Sequence, residues 1–130
     1  MKLLLDTQVV LWWATDPGRV PAPVIDTLTS PTTELYFSAA SSWEVQIKIG
    51  LGRLTLTEPW DAIVDREVTR NGVNLLPVTF PHTYRLGDLP PLHRDPFDRL
   101  LLAQSIAEGM RLVSGDAKLH EYPDAPIFWG

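Results

Sequence analysis

A chain of 130 residues, 45% hydrophobic and 21% charged, falls in the globular range, which argues against a disordered chain. Eleven Lys and Arg against sixteen Asp and Glu leave a net charge of −5. No basic run exists, so a surface that coats nucleic acid through many phosphate contacts is excluded. The absence of cysteine removes disulfides, thiol catalysis and Cys-ligated zinc.

The length suits one domain over residues 1–130, burying about two-thirds of its unfolded surface. Leu3 to Leu5 is short and fully apolar, as a buried central strand requires. Asp6 interrupts that run well short of a signal-peptide core, and Val9 to Ala14 is too short to span a bilayer. A soluble, cytoplasmic chain is therefore expected, with no membrane partner. Thr7 to Ala14 reads as a helix apolar around most of its girth, ended by Asp16-Pro17-Gly18. Val24 to Leu28 is a short helical piece closed by Ser30-Pro31.

Glu34 to Ser38 reads as a second strand, and Ser41 to Ile49 as a helix stopped by Gly50 and Gly52. Pro59 to Arg70 opens on Pro, carries Trp60, Ile63, Val64 and Val68 at helical spacing, and ends at Asn71-Gly72. Val73 to Val78 is a third strand and His82 to Leu86 a short helix at most. Gly87 to Pro96 holds three of the twelve prolines and reads as a loop. Pro96 to Glu108 is a second well-signalled helix, followed by strands at Arg111 to Ser114 and Ile127 to Trp129. Strands alternating with helices imply an α/β fold with a mostly parallel sheet of four to five strands and helices on both faces. Ligands of such folds lie beyond the carboxyl ends of the strands.

Four acids recur just past short apolar runs and near helix starts: Asp6, Glu44, Asp98 and Asp116. Each has a bland reading. Asp6 can cap the helix after it, and Ser41 with Glu44 fits a capping box. Glu44 can also pair with Lys48, Asp95 can cap the helix that Asp98 opens, and Asp116 can cap the turn beyond it. Capping alone needs no acid, since Ser, Thr and Asn serve as well. Four carboxylates gathered at one sheet edge would repel unless a cation or protons neutralised them, so the set is a candidate divalent-metal site. Carboxylate oxygens suit Mg2+, with Mn2+ as a substitute, and such a site supports hydrolysis of a phosphodiester. Zinc is disfavoured, because His82, His93 and His120 are scattered and read as surface or outer-sphere residues.

No Gly-rich phosphate loop and no G-x-S-x-G elbow is present. Trp12, Trp13, Trp43 and Trp60 are assigned to packing, with a dimer interface as the other cover for the first two. Lys48, Arg53, Arg94 and Arg99 are the cations nearest the proposed crevice in sequence, and contact with a phosphodiester backbone and a solvated face are both open to them.

Leu4-Leu5-Asp6-Thr7, the following Val10-Leu11-Trp12-Trp13, Ser42-Trp43-Glu44-Val45, the run from Leu92-His93-Arg94-Asp95-Pro96-Phe97-Asp98-Arg99 to Gln104, and Leu112-Val113-Ser114-Gly115-Asp116 carry a likeness in order. From residue 3 to about 128 the chain resembles the PIN-domain toxins of the VapC type. That resemblance implies a three-layer α/β/α domain and a Mg2+-dependent endoribonuclease, the toxin of a type II toxin–antitoxin module. It assigns catalysis and metal binding to Asp6, Glu44, Asp98 and Asp116, with Asp95, Thr7 and Arg99 as accessory candidates. It also implies tRNA or rRNA as substrate, a VapB-type antitoxin as partner, and a homodimer.

Two other readings stay open. A receiver-like domain also places acids at strand ends, but it wants an acidic pair near the first strand and an Asp ending a middle one. Here Asp6 stands alone and Val73 to Val78 runs into Thr79. The other is a catalytically silent interaction domain whose acids only cap helices.

Overall fold

The computed structural model describes residues 1–130. Its strands are β1 (Lys2–Leu5), β2 (Glu34–Ser38), β3 (Asn74–Leu76), β4 (Arg111–Val113) and β5 (Ile127–Phe128). Its helices are α1 (Thr7–Thr15), α2 (Ala22–Leu28), α3 (Ala39–Gly50), α4 (Trp60–Ile63), α5 (Phe80–Arg85) and α6 (Pro96–Glu108). The sheet is parallel throughout, in the order β3-β2-β1-β4-β5. From β1 the chain builds outward through β2 and β3, then crosses back to lay β4 on the other side of β1. The strand order therefore reverses between β1 and β4, which opens a crevice at their carboxyl ends.

The alternation of β1 divides the interior. Leu3 and Leu5 face one way, into a core shared with Val9, Val10, Val24, Val45, Trp60 and Ile63. Leu4 faces the other way, against Leu101 and Leu102 of α6 with Leu112, Leu119 and Tyr122. Helices cover both faces, giving the three layers expected. All three β1 leucines are fully buried, as a central parallel strand requires. No helix is long and apolar enough to cross a membrane.

Several elements differ from expectation. β3 is three residues long, because Pro77 has no N–H with which to continue the ladder. The helix predicted over 59–70 forms, but Val64–Thr69 is wound wider, with the Arg70 amide reaching the Asp65 carbonyl at 2.9 Å. α3 begins at Ala39, directly after β2, with Ser38 as its cap: the Ser38 Oγ accepts the Ala40 amide at 3.0 Å. Ser41 is thus inside the helix, and no capping box links it to Glu44. Trp60 is buried and donates its indole N–H to Ser42 Oγ at 2.9 Å. Trp12 and Trp13 are half-buried against the core, whereas Trp43 is 62% exposed and meets Phe97 edge-on at 5.2 Å. Packing therefore accounts for Trp60, in part for Trp12 and Trp13, and not for most of Trp43.

Candidate active site

Asp6 leaves β1 with extended backbone and starts α1, its Oδ1 accepting the Gln8 amide at 3.4 Å. Its Oδ2 accepts the Ser114 hydroxyl at 2.7 Å, and the same Ser114 oxygen accepts the Asp116 amide at 3.1 Å. One hydroxyl at the end of β4 thereby sets the spacing between the two strand-end acids. Gly115 between them cannot be larger without disturbance, because a Cβ there would lie 2.7 Å from the Trp129 ring.

Glu44 faces this point from the second turn of α3. Thr7 donates its hydroxyl to Glu44 Oε1 at 2.7 Å, and Lys48 Nζ lies 3.1 Å from Oε2. Asp95 caps α6 by accepting the Phe97 and Asp98 amides at 2.8 and 3.3 Å. Asp98 is held in the first turn of that helix. Asp6, Glu44, Asp95, Asp98 and Asp116 all line one cleft of about 280 Å³, with Thr7, Gln8, Trp12 and Lys48 also in its wall. The four predicted acids and the accessory Asp95 and Thr7 are therefore brought together.

The remaining predictions need correction. Only Asp6 directly follows a strand; Asp116 comes after β4 with Ser114 and Gly115 between, Glu44 sits in the second turn of α3, and Asp98 follows the long loop. Arg99 does not line the cleft: its guanidinium donates to the Leu89 carbonyl at 3.3 Å. Arg94 is exposed, and Arg53 lines a neighbouring groove that shares Gln8, Trp12 and Lys48 with the cleft. His82 is no surface residue. It is 1% exposed, accepting the Thr79 amide at Nδ1 and meeting Glu108 through Nε2 at 2.8 Å. His93 is in the site, with Nε2 at 3.0 Å from both Asp98 Oδ2 and Asp116 Oδ2.

The electrostatics are those of crowded carboxylates. Burial pushes the Asp6 pKa up to about 6, against the hydrogen bonds from Ser114 and Gln8, with Glu44 and Asp116 raising it further. Burial and the charges of Asp6 and Asp95 also raise Asp98, which hydrogen-bonds Asp116. Asp116 moves the other way. Burial opposes it, yet the Lys118 amide, His93 and Asp98 together hold it below the usual carboxylate range. A single proton between Asp98 and Asp116 describes the pair. Five carboxylates and one lysine around a small cleft leave a surplus of negative charge. Nearly all the donors are carboxylate oxygens, so the residues fit a hard divalent cation.

Comparison with known proteins decides the family. The PIN domain family profile matches residues 3–125. The chain belongs to the PIN-domain family. It is 28% identical to Ribonuclease VapC22 of Mycobacterium tuberculosis, with 98% of each chain covered. The crystal structure of VapBC2 from Rickettsia felis bound to a DNA fragment from their promoter matches with a TM-score of 0.76 at 18% identity, covering 100% of both chains. DNA-bound VapBC from Salmonella typhimurium matches with 0.71 at 15% identity, over 98% of this chain and 97% of that one. These structural likenesses carry the fold of this PIN domain.

Two residues of the PIN-domain cleft escaped the sequence reading in their roles. Ser114 was only part of a motif, and its one signal was its place just before Gly115-Asp116. His93 lies in a loop without periodicity, where no spacing rule points at an acid 23 residues downstream.

Proposed function

We propose that this PIN domain is a divalent-metal-dependent endoribonuclease, using Mg2+ or Mn2+, and the toxin half of a VapBC-type pair. The observation that carries the reading is the convergence of Asp6, Glu44, Asp98 and Asp116, from four separate elements, on one cleft. Asp6, Asp98, Asp116 and Glu44 would hold the metal. When bound, such an ion supplies charge for the transferring phosphoryl group and lowers the pKa of a water.

The chain's own groups do the rest. Ser114 aims Asp6, and Thr7 aims Glu44, each by a 2.7 Å hydrogen bond. Lys48 balances Glu44 while lining the cleft, where its ammonium would be in place for a substrate phosphate oxygen. The groove beyond Lys48 carries Arg19 and Arg53, and Arg19 lies 5.0 Å over the Trp12 ring. Cations beside an aromatic face suit a single-stranded backbone with a stacked base.

The relatives support the partner as well, since VapBC complexes are among the solved structures that match. A VapB-type antitoxin is accordingly the proposed cognate protein, with tRNA or rRNA as the substrate class and the cytoplasm as the place of action. A homodimer belongs to the same reading, and the exposed Phe80 and Tyr84 of α5, stacked at 6.3 Å, offer apolar surface for one.

Asp6→Asn, Glu44→Gln, Asp98→Asn and Asp116→Asn test it. Each keeps the side chain's shape and one acceptor oxygen and should fold, by circular dichroism and thermal melting. Each should lose about 10²–10³-fold in cleavage of RNA with Mg2+ present. Four variants that cut RNA as fast as the parent would return the acids to a capping role.

A further inference from the structure

The ring of His93 is fixed on three sides. Its backbone amide donates to the Tyr122 hydroxyl at 3.1 Å, and Tyr122 is buried in the core beneath α6. Its Nδ1 accepts the Asp95 amide at 3.2 Å. Its Nε2 lies at 3.0 Å from Asp98 Oδ2 and at 3.0 Å from Asp116 Oδ2. A backbone N–H is always a donor, so the Nδ1 lone pair is taken and the ring proton is assigned to Nε2. That proton points between two carboxylates that arrive on different elements, Asp98 on α6 and Asp116 after β4.

We propose that His93 is a positioning residue of this centre, an Nε2–H donor that clamps Asp98 and Asp116 into one arrangement. The inference rests on the nuclease reading of the acid cluster and deepens it. The three groups could be taken for a metal triad, since their ligand atoms lie within 4.8 Å of one another. The Asp95 amide argues against that role. A histidine that ligates through Nε2 must carry its proton on Nδ1, and there the proton would face the Asp95 N–H, donor against donor. The clamp also ties the site to the cap of α6, because Asp95 supplies both the amide that orients His93 and the carboxylate that starts the helix.

The first measurement is long-range ¹H–¹⁵N NMR of the metal-free protein, which reads the tautomer directly. The Nε2–H form is expected for His93, and an Nδ1–H form overturns the proposal. The second pairs His93→Ala with His93→Gln, because a glutamine amide reaches about as far as Nε2–H and also donates. Mg2+ titration calorimetry should show the alanine variant weakened about ten- to hundredfold and the glutamine variant within a few-fold of the parent. Cleavage should follow the same order, with kcat reduced in His93→Ala and KM for RNA unchanged. A glutamine variant as defective as alanine, or an alanine variant that binds Mg2+ like the parent, overturns the clamp. A parent that does not cut RNA would instead refute the nuclease reading, leaving the tautomer and Mg2+ results to judge His93.

Discussion

The Asp6 carboxylate accepts the Ser114 hydroxyl and the Gln8 amide, yet burial outweighs both and pushes its pKa up from 3.8 to about 6. A carboxyl group whose folded pKa exceeds its unfolded value holds its proton more tightly in the fold. Stability then falls as pH rises from about 3.8 to about 6, and the loss is complete above that window. The size is about 3 kcal/mol for a group this deeply buried. Asparagine keeps the shape and an oxygen to accept the Gln8 amide, and its own N–H2 can donate to the Ser114 oxygen, without the charge. In EDTA, Asp6→Asn should be about 2–3 kcal/mol more stable than the parent at pH 7.5, with most of that gain gone at pH 4. Urea denaturation at the two pH values checks this, and an equal difference at both would show that the charge is not strained. Asp6 and Asp116 were legible in the sequence because an acid directly after an apolar run, or a short turn beyond it, lands at the strand-end edge of the sheet. Glu44 was legible as an acid past the second strand, though it reaches the cleft from inside α3, where it accepts the Thr7 hydroxyl, and not from the strand end itself. Ser114 was illegible in its role, because its partner Asp6 lies 108 residues away.

α6 shows how much an element can declare of itself. Asp95, Pro96 and Gly109 mark its cap, first turn and end, and Gly109 adopts the left-handed φ of 67° that such an end requires. α3 declares less. Ser38, Ser41 and Ser42 all offer caps, and the choice falls to Ser38 only because β2 feeds the helix without a loop. The wider winding of Val64–Thr69 left no mark in the residue pattern, being set by carbonyl partners one residue further back. The Asp95 cap can be separated from its charge. Asp95→Ala removes acceptors for the Phe97 and Asp98 amides and should cost about 1–2 kcal/mol. It should also slow cleavage, because Asp98 rides on the freed turn. Asp95→Asn should restore both thermal midpoint and rate. A stable asparagine variant that no longer cuts would move Asp95 from cap to catalytic group.

At the scale of the molecule, alternation of strands and helices was enough to give an α/β sandwich with a parallel sheet. The order β3-β2-β1-β4-β5 was not written in any one segment. It depends on the crossover that returns the chain from α6 to lay β4 beside β1, a pairing between residues about as far apart as the fold allows. That crossover also concentrates charge, placing acids from both halves of the chain in a cleft with Lys48 as its one cation. A cation that binds only the folded state adds stability by RT ln(1 + [L]/Kd), about 2.7 kcal/mol at a hundredfold excess over Kd. Binding must displace the protons that Asp6 and Asp98 hold when raised, so the gain should grow with pH. Thermal melts with and without Mg2+ or Mn2+ should therefore show a larger rise at pH 7.5 than at pH 5. The rise should vanish when Asp6, Asp98 and Asp116 are all changed to asparagine. An increase that is equal at both pH values, or that survives the triple replacement, would place the cation elsewhere on the surface and separate metal binding from the crowded carboxylates.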